Sequence, residues 1–191
     1  MKKILQKEAP NLREISKAIP VDKIASAKIQ SIIRDMKSAL ASQDDGVAIA
    51  APQIGQSLRI FVISGKVESI LKGSDLAPEQ SENSKNKEKF VADLVFINPV
   101  IKKISKEKII IEEGCLSVRY LYGKVSRSSK ATVEAYDENG KKFTRGGSGL
   151  IAQIFQHEID HLDGVLFIDK AKYIEEILPE SLTKKPKDHA K

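Results

Sequence analysis

Two of the three histidines in this 191-residue chain stand four residues apart, in Gln156-His157-Glu158-Ile159-Asp160-His161. On an α-helix that spacing places both imidazoles on one face, one turn apart and about 6 Å along the axis, where they can share a cation. Glu158 lies beside them but is offset around the helix, so it can hold a bound water rather than ligate. Catalytic sites of this kind take three protein ligands and keep one position open for water. A third ligand is therefore needed, and the candidates are a carboxylate or the single thiol, Cys115.

Cys115 stands in Glu113-Gly114-Cys115-Leu116-Ser117, directly after the β-branched run Lys108-Ile109-Ile110-Ile111-Glu112. A glycine-assisted turn there could present the sulfur to the histidine pair. Two other readings of the thiol stay open: an inert small hydrophobe in the core, or a nucleophile with His157 or His161 as its base. A third segment, Gly46-Val47-Ala48-Ile49-Ala50-Ala51-Pro52-Gln53-Ile54-Gly55, carries minimal side chains past which a peptide backbone could approach closely. The Gln53 amide in it can donate a hydrogen bond.

These segments need elements to hold them. Ile29, Ile32, Ile33, Met36 and Leu40 recur at helical spacing and predict an amphipathic helix after Pro20. Arg59 to Ile63, after the small-residue loop, and Leu94 to Asn98, stopping before Pro99, predict buried strands on either side of the polar stretch 66–93. Thr132 to Tyr136 alternates cleanly, and Asp137-Glu138-Asn139-Gly140 carries a turn signal into Lys141 to Thr144, which predicts a hairpin. A helix from about Gly149 to Leu162 follows, with Ser148 as N-cap and Gly164 just beyond its end. Val165 to Ile168 reads as a further buried strand, Tyr173 to Leu178 as a short amphipathic helix, and Lys184 to Lys191 as a frayed basic tail.

Composition bounds the class. With 41% hydrophobic and 30% charged residues the chain is globular rather than disordered or fibrous. One cysteine permits no internal disulfide and suits a reducing, cytoplasmic setting. No run approaches the ~20 apolar residues of a membrane span, and the first residues lack the apolar stretch of a signal peptide. The charge of +6 comes from 32 basic and 26 acidic residues, interspersed rather than blocked, so no DNA or membrane partner is expected. Residues 66–93 hold too little apolar surface to offset ordering and read as a surface insertion. The expected organisation is one catalytic domain over 1–170 and a C-terminal helix with basic tail over 171–191.

Taken together and in order, Gly46 to Gly55, Glu113 to Ser117 and Gln156 to Gly164 make the sequence resemble peptide deformylase across nearly its whole length. The resemblance implies an α+β fold, with antiparallel strands packed around a central helix that carries the histidine pair. It implies removal of the N-formyl group from N-formylmethionine of new polypeptides, with release of formate. Position by position, the implied metal ligands are Cys115, His157 and His161, the general base and acid is Glu158, and the oxyanion donors are the Gln53 side chain and the Leu116 backbone N–H. The implied cofactor is one divalent ion, ferrous iron foremost, with zinc, nickel or cobalt able to occupy the site. Gly46, Val47, Ala48, Ile111, Glu113, Gly114, Leu150, Gln153 and Ile154 are expected around the substrate, and Glu113 is expected to pair with Arg127 in support of the Cys115 turn.

The chain departs from the family pattern in places. Ala48 and Ile49 stand where glycine and leucine are usual, Gln153 where an apolar residue is common, and Arg119-Tyr120 where proline often follows Ser117-Val118. A more polar pocket and a rim of altered shape and charge are expected. Substrates emerging from the ribosome make a weak contact through Tyr173 to Lys191 compatible with this reading. Two rival functions remain, an HExxH metalloprotease and a non-enzymatic basic protein that binds ribosomal RNA.

Overall fold

The computed structural model describes residues 2–67 and 92–179. The expected insertion at 66–93 falls almost wholly outside the described residues, as does the tail from residue 180. All strand pairs are antiparallel, in two sheets. The first has the order β1 (Ala48–Ala50), β2 (Ile60–Ile63), β3 (Leu94–Ile104), β6 (Lys130–Tyr136), β7 (Lys142–Ser148). The second has the order β4 (Lys108–Gly114), β5 (Leu121–Ser128), β8 (Lys172–Glu176). Helix α1 spans Ala27–Ala41 and helix α2, which bears the histidine pair, spans Gly149–Leu162. The expected α+β fold, antiparallel strands around a central helix, is the observed one: α2 packs against β1, β2, β6 and β7 of one sheet and β5 of the other.

Strand β2 shows why the first sheet sits in the centre. Its four residues Ile-Phe-Val-Ile are all buried, and successive side chains point to opposite faces. Ile60 and Val62 join the α1 side, with Ile33, Met36 and Leu40. Phe61 and Ile63 join the α2 side, with Phe96 and Phe155. A strand covered on both faces needs a continuous apolar run rather than alternation. Phe61 stacks on Phe96 with centroids 4.5 Å apart, and Phe155 meets Phe96 edge-on at 5.4 Å. Each such side chain contributes about 1.5–3 kcal/mol through burial. That seats α2 against the sheet with its histidine face turned toward the second sheet.

Several expectations need correction. Tyr173 to Leu178 is no helix: Lys172–Glu176 is strand β8 on β5. A helix of under two turns whose residues remain exposed has no buried apolar face to stabilise it, whereas the edge of β5 offers ladder hydrogen bonds. Val165 to Ile168 is no strand: Phe167–Asp169 forms a 3-10 turn, closed by the Leu166 N–H donating to Asp169 Oδ2 at 2.9 Å. Strand β3 does not stop before Pro99 but continues to Ile104, with a register shift between Ile97 and Val100 that accommodates the missing N–H. Ser148 occupies the N-cap of α2 as expected, although its side chain makes no capping hydrogen bond. The Gly46 to Gly55 loop also contains a strand, β1, followed by a 3-10 turn at Ala51–Ile54.

Past α2 the chain reverses sharply at Gly164, where φ is +75° and an added Cβ would stand 2.7 Å from the Arg13 carbonyl oxygen. Only glycine meets both conditions.

Candidate metal centre and cleft

The turn after β4 brings the thiol to the histidines. Cys115 Sγ lies 3.2 Å from His161 Nε2, and the donor atoms of Cys115, His157 and His161 all lie within 4.8 Å of one another. Gly114 is required for this turn, since a Cβ there would meet the Tyr122 ring at 2.7 Å. The His157 and His161 rings stand 5.0 Å apart and nearly perpendicular, as the i, i+4 spacing predicts.

His157 is oriented by a second contact, whereas the buried Nδ1 of His161 has no partner among the described residues. His157 Nδ1 faces Glu113 Oε2 at 3.0 Å, which leaves its Nε2 for a cation. Glu113 is held in turn by Arg127, whose Nε and Nη2 donate to the two carboxylate oxygens at 2.7 and 2.9 Å. The expected Glu113–Arg127 pair is thus present and buried. Arg127 Nη1 also donates to Asp160 Oδ2 at 2.6 Å, and Lys170 Nζ donates to Asp160 Oδ1 at 2.6 Å. Burial would raise the Glu113 carboxyl, but hydrogen bonds from Arg127 and His157 outweigh it and bring it to about 2. Glu113 is therefore a fixed anion behind the histidine pair.

Glu158 is buried on α2 with Oε2 unpartnered among the described residues. Burial raises it to about 7, with the Glu113 charge adding to the rise and His157 opposing it. A carboxyl poised near neutrality suits proton transfer. The thiolate-and-imidazole donor set, the neighbouring carboxylate with a free oxygen and the supporting Glu113 fit a divalent ion with room for water.

Gln53 completes the inner wall. Its Oε1 accepts the Ala50 N–H at 2.7 Å, which turns its Nε2 toward Cys115 Sγ at 3.6 Å and Ser117 Oγ at 3.1 Å. The donor side of the amide therefore faces the cleft. That cleft has a volume of about 260 Å³, and Gln53, Cys115, Leu116, His157 and Glu158 line it. Of the residues expected around the substrate, Gly46, Val47, Ala48, Glu113, Gly114, Leu150, Gln153 and Ile154 line this cleft. Ile111 does not, since it is absent from the cleft wall and pairs with Val125 inside the β4–β5 ladder. Gln153 commits its Nε2 to the Glu112 carbonyl at 3.0 Å.

Sequence reasoning missed Asp160 as a partner of Arg127, and it missed Asp45 and Tyr122 in the cleft wall. Asp160 had a visible signal, because it lies three residues after His157 on the same helix. Asp45 and Tyr122 had none, since what puts them there is the approach of loops distant in sequence.

The polypeptide deformylase family matches residues 1–176 of the chain. A peptide deformylase of Clostridium acetobutylicum is 39% identical over 154 residues, covering 80% of this chain and 85% of the relative. A chloroplastic peptide deformylase of Solanum lycopersicum is 39% identical over 170 residues; 89% of this chain matches, but that spans only 59% of the longer relative. Among solved structures, a peptide deformylase from Legionella pneumophila superposes with a TM-score of 0.72 at 36% identity, covering 91% of this chain and 87% of that one. With the motifs, the fold and the site in agreement, the chain belongs to the polypeptide deformylase family of hydrolases.

Proposed function

We propose that this protein removes the formyl group from N-formylmethionyl peptides, giving formate and a free N-terminus. The observation that carries the reading is the convergence of one thiol and two imidazoles within 4.8 Å, in a cleft that also holds Glu158 and the donor side of Gln53. Cys115, His157 and His161 would hold the divalent ion, with ferrous iron as the native choice and zinc, nickel or cobalt as substitutes. When bound, such an ion supplies Lewis acidity, lowering the pKa of water and polarising a carbonyl.

The chain's own residues account for the rest. Glu158 takes a proton from the attacking water on its unpartnered Oε2 and returns it to the nitrogen of the leaving amine. Gln53 Nε2 donates to the negative charge developing on the formyl oxygen, and the Leu116 N–H is assigned as a second donor. Such donors contribute about 2.7–4 kcal/mol each in other hydrolases. Val47, Leu150 and Ile154 supply the apolar wall for the methionine side chain. β1 and β4 are edge strands whose ends line the cleft, so an extended peptide can use their free backbone groups.

The substrate class places the enzyme in the cytoplasm beside the ribosome, with Tyr173 to Lys191 as the candidate for a weak contact. No helix among the described residues is long and apolar enough to cross a membrane.

The decisive experiment is an anaerobic assay of formate release from formyl-Met-Ala-Ser, with metal analysis of the same sample. Acetyl-Met-Ala-Ser and an internal peptide bond serve as competitors. Formate release that stops on chelation and returns with ferrous iron supports the reading. Cleavage of the internal bond in preference to the formyl amide would assign the protein to the metalloproteases instead. Full activity after chelation but none after thiol alkylation would make Cys115 a nucleophile.

A further inference from the structure

The two walls of the cleft are tied together at its mouth. Arg119, on the turn that follows Cys115, donates from Nη1 and Nη2 to both oxygens of Asp45, which directly precedes the Gly46 segment. Nη2 also donates to Gln43 Oε1 at 2.9 Å. Behind this contact, Gln6 Nε2 donates to the Leu116 carbonyl at 3.1 Å, and the Arg119 N–H approaches Gln6 Oε1 at 3.5 Å. Arg119 is thus anchored at both its backbone and its guanidinium.

Position along the cleft gives the contact its meaning. Gln53 and Glu158 are 1% and 4% exposed, whereas the Asp45 and Arg119 side chains are 57% and 25% exposed. The proton acceptor and the oxyanion donor sit at the bottom, and the Asp45–Arg119 pair sits where the cleft opens to solvent. A peptide whose formyl end reaches the bottom must run out past that pair. The pair spans the segment that carries Gly46 to Ala48 and the turn that carries Leu116, so it fixes how far apart the walls stand at the exit. A planar guanidinium paired at both ends to one carboxylate sets that distance more rigidly than a single ammonium contact could.

We propose that the Asp45–Arg119 pair is a specificity clasp that holds the cleft mouth narrow and selects a small side chain on the residue after formylmethionine. This rests on the deformylase reading and extends it to the second substrate residue. An ion pair this exposed contributes little to folding stability, so opening it should leave the fold in place. Arg119 and Asp45 are positioning residues; neither touches the reacting atoms.

The test compares formyl-Met-Ala-Ser with formyl-Met-Trp-Ser in the wild type and in Arg119→Ala, Arg119→Lys, Asp45→Asn and the double variant Arg119→Ala/Asp45→Asn. The wild type should favour the Ala peptide. Opening the clasp should reduce that preference roughly 5- to 10-fold, through a lower KM for the Trp peptide rather than through kcat. The double variant should lose no more than Arg119→Ala alone, because that variant already removes the Asp45 contact together with the one to Gln43. Arg119→Lys should recover only part of the preference. Unchanged preference in every variant would overturn the clasp, as would a double-variant effect equal to the product of the singles, or an equal fall of kcat on both peptides. Absence of formate from the wild type refutes the deformylase reading itself. Wild-type turnover with no change of preference in the variants refutes the clasp alone.

Discussion

Glu113 Oε2 faces His157 Nδ1 at 3.0 Å while Arg127 grips the same carboxylate through two nitrogens. The ends of β4 and β5 and the helix α2 are thereby joined through one buried anion, and Asp160 returns the chain of contacts to α2. The orientation of an imidazole proposed to hold the metal is thus set by a residue two positions before the thiol proposed to share it. This coupling makes the site sensitive to changes outside the donor set.

Arg127→Ala should leave the Glu113 carboxylate buried without its main countercharge. Breaking a buried pair from one side typically costs about 3–5 kcal/mol, and His157 would lose its fixed orientation. The variant should melt lower and retain less metal per chain. Arg127→Lys should fall between the two, since one ammonium cannot satisfy both carboxylates. Thermal denaturation with metal analysis checks this, and normal metal content in Arg127→Ala would refute the supporting role.

Glu158→Gln should retain metal, because Glu158 lies outside the three-donor set, yet lose the proton acceptor. General acid–base groups of this kind contribute about 10²–10⁴-fold to rate. The expected outcome is a fall of that order in kcat with unaltered metal stoichiometry. Activity within a fewfold of wild type would transfer the proton-handling role to another group.

Gln53→Glu keeps an oxygen to accept the Ala50 N–H while removing the amide donor that faces the cleft. Loss of one oxyanion donor elsewhere costs about 10²–10³-fold in kcat. The same order is expected here, with the fold intact by circular dichroism. A fall in KM-related binding alone, with kcat preserved, would assign Gln53 to substrate binding instead.

Gly114→Ala should push on the Tyr122 ring, which stands 2.7 Å from where the new methyl would sit. Overpacking of this kind costs about 1–3 kcal/mol. Because Gly114 and Tyr122 both line the cleft, the displaced ring should also raise KM. Combining Gly114→Ala with Tyr122→Leu should recover part of both losses. Wild-type kinetics and melting in the single variant would show that the turn yields without cost.

Asp169 accepts hydrogen bonds from Arg13 and from the Leu166 N–H, and these, Arg13 foremost, hold its carboxyl below the ordinary value. A carboxyl lowered on folding adds stability above its unfolded pKa, and that stability is lost as pH falls through the folded value. Asp169→Asn should therefore be less stable than wild type at neutral pH, by under about 1 kcal/mol for so exposed a pair. The difference should vanish in acid. Urea denaturation at both ends of that range measures it, and a constant difference across pH would exclude the ionic contribution.

The sequence by itself determined whatever rests on local period. Histidines four apart on a helix share a face wherever that helix goes. The apolar run of β2 and the turn at Asp137–Gly140 likewise carry their own instructions within a few residues. The helix α2 was legible to its last residue for this reason. Strand β5 was not, because its inward positions are filled by Gly123, Val125 and Arg127 rather than by a hydrophobic alternation. Its glycine makes room for Ala171 and Ile174 of the neighbouring segment, and its arginine serves the buried Glu113. Strand β8 was misread for the complementary reason: all five of its residues are exposed, and the open edge of β5 selects the extended form. Tertiary structure alone brought Asp45 against Arg119, 74 residues away. Such contacts depend on where whole elements dock, a choice made by the summed burial of the core and not by any pattern within reach of the residues concerned.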